Sequence, residues 1–176
     1  MAKVSDKAIM PDPTLAIDLC VDDKNWQAID GLEHVITTAV KAALSQAQII
    51  GDDAIGLTIV LDNNSRVESL NADWRDKQKP TNILSFPAPK HSRSDTGEAY
   101  IGDLILAYGV IYDEANEQRK ALATHLCHLI IHGVLHLVGF DHQNDDEAVE
   151  MEQLEIKAMA ALGLPDPYQI KSKDAT

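Results

Sequence analysis

From Thr14 to Val21 apolar side chains occupy every second position (Leu15, Ile17, Leu19, Val21), the period-two pattern of a half-buried strand. The spacing then changes. Between Trp26 and Gln48, the residues Leu32, Val35, Ile36, Ala39, Val40, Ala43 and Leu44 recur at helical intervals and predict a helix. Ala54 to Leu61 is rich in β-branched residues and predicts a second strand, ended by the Asp62-Asn63-Asn64 turn. Ser65 is placed to cap a helix that carries Val67 and Leu70 and runs to about Trp74 before Pro80 breaks the segment. Asn82 to Phe86 predicts a short strand closed by Pro87 and Pro89, and 88–98 a loop. Tyr100 to Ile111 predicts a fourth strand, followed by a long helix from about Asp113 to Val138 that Gly139 terminates. Asn144 and Glu147 have the spacing of a capping box for a last helix, Asp145 to Leu162, ended by Gly163 and Pro165.

Strands and helices alternate before two helices close the chain. This predicts an α+β fold with a mixed sheet of about four strands and helices packed on it. Residues 1–13 are polar, contain Pro11 and Pro13, and are expected to form a flexible N-terminal arm. The expected single domain spans 14–168, and 169–176 form a C-terminal tail. Apolar residues make up 45% of the 176, ordinary for a globular chain and too many for a disordered one.

The longest apolar run, Leu126 to Phe140, is interrupted by Cys127, His128, His132, Gly133, His136 and Gly139, so it lacks the roughly 20 clean residues of a membrane span. The first residues have no apolar core of a secretion signal, and Cys20 and Cys127 form no disulfide framework. A cytoplasmic protein with two free thiols and no membrane partner is expected. The net charge of −13 argues against a broad nucleic-acid-binding surface, and DNA is not an expected partner. One window departs from that balance: 66–93 holds six basic residues against three acidic ones, so a polyanion would find local positive charge there.

Five of the seven histidines lie between 125 and 142. His132 and His136, four apart, share one helix face and form a bidentate clamp. Gly139 turns the chain back so that His142 approaches the same point. Three neutral imidazoles suit zinc or another borderline divalent ion and leave a position open for water, which is a catalytic arrangement. The metal site thus sits on the penultimate helix and just beyond it. The spacing is that of metzincin-like zinc sites, whose proteases carry glutamate after the first histidine as general base; here that residue is Gly133. A zinc metalloprotease of this type would lack its base, and Glu114, Glu117 and Glu147 do not have the helical offset to replace it. His128, one turn before His132, is a donor to a ligand, a wall of the cleft or a packed core histidine; His125 reads as core. Asp141 either orients the His142 imidazole or is an ordinary turn aspartate.

The run from His132 to His142 (HGVLHLVGFDH) closely resembles the signature of the YbeY family of endoribonucleases, the rRNA maturation factors. Two further blocks are similar to that family in the same order: Leu70 to Pro87, containing Asn71, Arg75, Pro80, Asn82 and Ser85, and Gly102-Asp103-Leu104. The resemblance spans about 57–168. It implies a single-strand-specific, metal-dependent endoribonuclease acting in 16S rRNA 3′-end processing and ribosome quality control, with ribosomal components as partners. It implies one Zn2+ held by His132, His136 and His142, with Arg75 and His132 as catalytic residues. Ser85 and Asp103, with His128 and Asp141, become candidates for supporting the ligands or binding substrate. Arg75 agrees physically, since a planar, permanent cation suits a phosphate or the added charge of a pentavalent transition state.

Overall fold

The computed structural model describes residues 9–12, 15–49, 52–75 and 81–169. Four of its strands fall where the sequence marks them. In β2 (Leu15–Val21) Leu15, Ile17 and Leu19 are buried while Asp18 between them is exposed. In β3 (Ile55–Asp62) Leu57, Ile59 and Leu61 continue the same buried face. These strands run parallel in the register Ile17↔Leu57 and Leu19↔Ile59. β5 (Ala99–Ala107) adds parallel to β3 and contributes Leu104 and Leu106. β4 (Ile83–Pro87) pairs antiparallel with β5 and forms one edge of the sheet.

The sheet has five strands in the order β1-β2-β3-β5-β4, one more than expected. Ile9–Asp12, within the segment expected to be a flexible arm, form β1 and pair antiparallel with β2. Pro11 fits there because an edge strand can spare a ladder donor, and the register shifts between Ile9 and Asp12. The rest of 1–14 and residues 170–176, most of the expected tail, lie outside the described residues.

Helix α1 (Leu32–Gln46) buries Ile36, Ala39, Val40, Ala43 and Leu44, a stripe at helical spacing. The expected helix over 26–48 is divided: a 3-10 turn over Lys24–Ala28 precedes α1, and Gly31 at φ +65° separates them. α2 (Asn64–Arg75) starts one residue before the expected cap Ser65, because Asn63 Oδ1 takes the Arg66 N–H at 3.0 Å. The expected fourth strand ends at Ala107, where α3 (Tyr108–Glu117) begins. Asn64 decides that boundary: its Oδ1 accepts the Val110 N–H at 3.0 Å and so caps α3 from across the fold. The long helix expected to Val138 is likewise two helices, α3 and α4 (Leu122–Leu137), broken at Arg119, which sits at φ +55°.

The last helix, α5 (Asp145–Ala161), begins as the capping-box spacing predicts: Asn144 Oδ1 accepts the Glu147 N–H at 2.9 Å. The Glu147 carboxylate reaches back to the Gln143 N–H at 3.2 Å. One core, built from the inward faces of β2, β3 and β5 with α1, α4 and α5, carries the fold; a smaller cluster of Val67, Leu84 and Ala107 lies on the other side of the sheet under α2. This is the expected single-domain α+β architecture. Cys20 and Cys127 are not joined in a disulfide, and burial pushes the Cys127 thiol up to about 11, so it is inert near neutrality. Among the described residues no helix is long and apolar enough to cross a membrane.

Candidate metal centre

α4 carries its histidines along a ridge bounded by buried residues, with Leu129, Ile130, Gly133, Val134 and Leu137 all turned inward. The same turn that ends the helix builds the site. Gly139 adopts φ +104°, its N–H reaches His136 O at 3.1 Å and the Phe140 N–H reaches Leu135 O at 3.0 Å. That fold-back aims the Phe140 carbonyl at the His136 ring, whose Nδ1–H donates to it at 3.0 Å. It also delivers His142, whose ring centroid lies 5.0 Å from that of His136 and 5.7 Å from that of His132.

One ring nitrogen from each of His132, His136 and His142 falls within 4.8 Å of the others. The two outer bonds decide which nitrogens these are on α4. A carbonyl only accepts, so His136 carries its proton on Nδ1. His132 Nδ1 lies 2.7 Å from Glu155 Oε1, and Glu155 is ionised. Burial alone would raise the Glu155 pKa, but hydrogen bonds from His128, His132 and Tyr168 and the charge on His132 outweigh it and bring it down to about 2. With Nδ1 carrying a proton in both rings, the Nε2 atoms of His132 and His136 face each other across 3.1 Å. Were both atoms unprotonated, their lone pairs would repel unless a cation lay between them. The spacing is close to the roughly 3.3 Å expected between two nitrogens bound tetrahedrally to zinc at about 2.0–2.1 Å. Burial, with the like charges of His132 and His142, lowers the His136 pKa. The donor set fits a borderline divalent metal.

The family model described as Endoribonuclease YbeY matches residues 20–163. The chain belongs to the YbeY endoribonuclease family. It is 40% identical over 159 residues to an Endoribonuclease YbeY of Azorhizobium caulinodans, covering 90% of this chain and 99% of that one. It is 46% identical over 154 residues to the Endoribonuclease YbeY of Maricaulis maris, covering 87% of this chain and 91% of that one. A Thermotoga maritima protein solved in solution shares the fold, with a TM-score of 0.52 at 19% identity over 88% of this chain and 99% of its own.

Gly133, the position that sets the YbeY signature apart from the protease one, does not face the histidines. A Cβ built there would lie 2.7 Å from Ile83 Cδ1 and 2.8 Å from Leu104 Cδ2. Glycine lets α4 lie close on β4 and β5, and a glutamate would point into the sheet. Ser85 shares the α4-facing side of edge strand β4 with Ile83, as alternation requires, and pairs with Leu104. Asp103, grouped with Ser85 at the sequence level, lies one residue from Leu104 and so on the opposite face of the sheet. There its Oδ1 takes the Tyr100 hydroxyl at 2.5 Å, and Tyr100 in turn meets Thr58 Oγ1 at 2.6 Å. Asp141 supports the loop and not the His142 ring: Oδ1 accepts the His142 backbone N–H at 2.8 Å and Oδ2 the Gln143 side-chain amide at 2.7 Å.

His128 reaches the site through a shared partner, with Nε2 2.5 Å from Glu155 Oε2. His125 is buried, as expected, but not inert: its Nε2 meets Glu114 Oε2 at 2.8 Å, and both Glu114 oxygens accept from Asn82 Nδ2, at 3.1 and 3.2 Å. Arg75 closes α2; its side chain, like Lys77 and Lys79 of the basic window, lies outside the described residues. Arg93, a further cation of that window, is paired with Asp53 at 2.9 Å. Sequence reasoning missed Glu155. The available signal was its place in the apolar stripe of α5, with Met151, Ala158 and Met159, where a carboxylate must find partners.

Proposed function

We propose that this chain is a metal-dependent endoribonuclease that cuts phosphodiester bonds in single-stranded RNA. It works in 16S rRNA 3′-end processing and ribosome quality control, in the cytoplasm and alongside ribosomal components. The observation that carries this reading is the convergence of three imidazole nitrogens within 4.8 Å in a chain of the YbeY family. His132, His136 and His142 hold one Zn2+. Bound there, zinc supplies Lewis acidity toward a phosphate oxygen and acidifies water. His132 and His136 present Nε2 because Glu155 and the Phe140 carbonyl occupy their Nδ1 atoms. Arg75 grips the phosphate and offsets charge that builds in the transition state, and Ser85 lies on the strand face turned toward α4. Glu155 is not the base, since both its oxygens already receive donors. The orientation of Gly133 speaks against peptide hydrolysis. A net charge of −13 makes RNA binding by the protein alone weak and strongly salt-sensitive, so a ribosomal partner adds to recognition.

The test compares wild type, His136→Ala and Arg75→Ala by elemental analysis and by cleavage of unstructured rRNA fragments. Wild type and Arg75→Ala are expected to carry about one zinc per chain, the metal being lost in His136→Ala. Cleavage is expected to fall by about 100-fold or more in Arg75→Ala and to vanish in His136→Ala. Metal-loaded wild type that leaves every rRNA fragment intact, with normal ribosome maturation in cells carrying Arg75→Ala, would sink the proposal.

A further inference from the structure

Glu155 is 1% exposed, and a carboxyl group at that depth is tolerated only when hydrogen bonds replace its lost hydration. Three donors do so, two from α4 and one from the segment beyond α5. His132 Nδ1–H from α4 takes Oε1; His128 Nε2–H, one turn earlier, takes Oε2; and the Tyr168 hydroxyl, beyond the end of α5, also donates to Oε2. Tyr168 is itself held. Its ring meets the His128 ring edge-on at 5.4 Å, its N–H donates to Asp166 Oδ1 at 2.8 Å, and Lys120 Nζ pins the preceding Pro167 carbonyl at 2.7 Å. The segment after Gly163 is therefore a strap. It runs from the end of α5 across α4 and finishes on the carboxylate behind the metal-facing histidine.

This arrangement divides the work of the carboxylate. Oε2, with two donors, fixes the Glu155 side chain; Oε1 is left to a single partner, the His132 Nδ1–H. The bond fixes the tautomer and the rotation of the His132 ring, which turns Nε2 toward His136 and His142. We propose that Glu155 and Tyr168 are positioning residues for His132, so that the strap over 163–169 sets how tightly the three histidines hold a metal ion. The inference rests on the metal reading above and adds the groups that tune it. Outer partners of metal-bound histidines alter affinity by about 10–100-fold, which gives the scale.

The test uses the full-length metal-free protein with Co2+ as probe, read by its visible d–d absorption and by competition with a chelator. Glu155→Gln keeps the shape of the side chain and is expected to weaken Co2+ binding by about 10–100-fold and to shift the d–d band. Tyr168→Phe keeps the ring on His128, removes only the hydroxyl, and is expected to weaken binding by about 2–10-fold, one step further from the ion. A purely structural hub gives another result: both variants melt earlier without metal yet bind Co2+ with wild-type affinity and spectrum, which overturns the proposal. Should Glu155→Gln fail to fold, Tyr168→Phe decides alone. Wild-type protein that binds no Co2+, or binds it equally after His136→Ala, overturns the metal reading itself. Unchanged affinity in Tyr168→Phe and Glu155→Gln beside a normal wild-type site overturns the positioning role alone.

Discussion

Replacing Gly133 by glutamate, the residue that metzincin-type proteases carry at this point of the helix, is expected to cripple the fold without creating a peptidase. The magnitude follows from what a side chain would meet. A Cβ would stand 2.7 Å from Ile83 Cδ1 and 2.8 Å from Leu104 Cδ2, where carbon atoms prefer about 3.5–4.0 Å. Ile83 is only partly buried and can give way, but Leu104 is fully buried in the core. Overpacking of this kind costs about 1–3 kcal/mol, while replacing a mid-helix glycine by alanine returns about 1 kcal/mol. Gly133→Ala should therefore lose about 0–2 kcal/mol. Gly133→Glu adds a carboxylate facing apolar side chains, worth about 2–7 kcal/mol of lost hydration, for a total of about 2–9 kcal/mol. Domains typically have only about 5–15 kcal/mol to lose. Urea unfolding of the metal-free proteins measures this as a falling midpoint at unchanged slope. A Gly133→Glu protein with the wild-type midpoint, or one that cuts a denatured polypeptide, would show that position 133 faces the metal and that the packing argument is wrong.

Two further outcomes follow from the same geometry. Gly102 sits at φ +134°, and a Cβ there would lie 2.2 Å from the Phe86 carbonyl oxygen and 2.9 Å from the Ala88 nitrogen, so Gly102→Ala must separate β4 from β5. We expect a loss of at least about 3 kcal/mol, seen as a melting temperature roughly 6–12 °C lower; an unchanged value would contradict the β4–β5 register. Glu114 supplies a pH signature. Burial alone would raise its pKa, but hydrogen bonds from His125 and Asn82 and the charges on His125 and His128 bring it below the ordinary value. The unfolded chain therefore binds the proton more tightly. The stabilisation is complete above the unfolded value of about 4.3 and is lost as pH falls through the lower folded value. Glu114→Gln should flatten the drop in urea midpoint of metal-free protein between about pH 5 and 3, and an equally steep drop in the variant would remove Glu114 from the account.

The alternation in β2 and β3 and the stripe on α1 were legible because each element buries one face against one core, and the period of the apolar residues records that. Boundaries set by distant side chains were not. Tyr108, Val110 and Ile111 favour strand by local preference, yet they begin α3 because Asn64 caps it and Tyr108 packs edge-on to Trp26 with centroids 5.2 Å apart. Helix ends divide in the same way. Gly139 and Gly163 were readable stops, whereas Gln48 and Arg119 adopt the same left-handed turn without the glycine that marks it. In both, the fold-back bonds form anyway: Ile49 N–H to Leu44 O at 3.0 Å and Lys120 N–H to Ala115 O at 2.8 Å.

The convergence of the three histidines was legible for a related reason: its geometry is local. A four-residue helical spacing and one glycine turn fix where the rings of His132, His136 and His142 meet, and no distant contact is needed to bring them together. For His136 the nitrogen offered is also set locally, by the Phe140 carbonyl, but for His132 it is not. His132 depends on a carboxylate 23 residues away, and that carboxylate depends on a tyrosine 13 residues further on. Spacing marks the converging histidines, but only burial marks their support. In α5 a glutamate occupies a position that its neighbours Met151, Ala158 and Met159 assign to the core, and such a residue must be answered by donors brought in by the fold. Here two of the three answering donors are histidines of α4, so the departure from the apolar pattern in one helix and the ligand motif in another describe a single site.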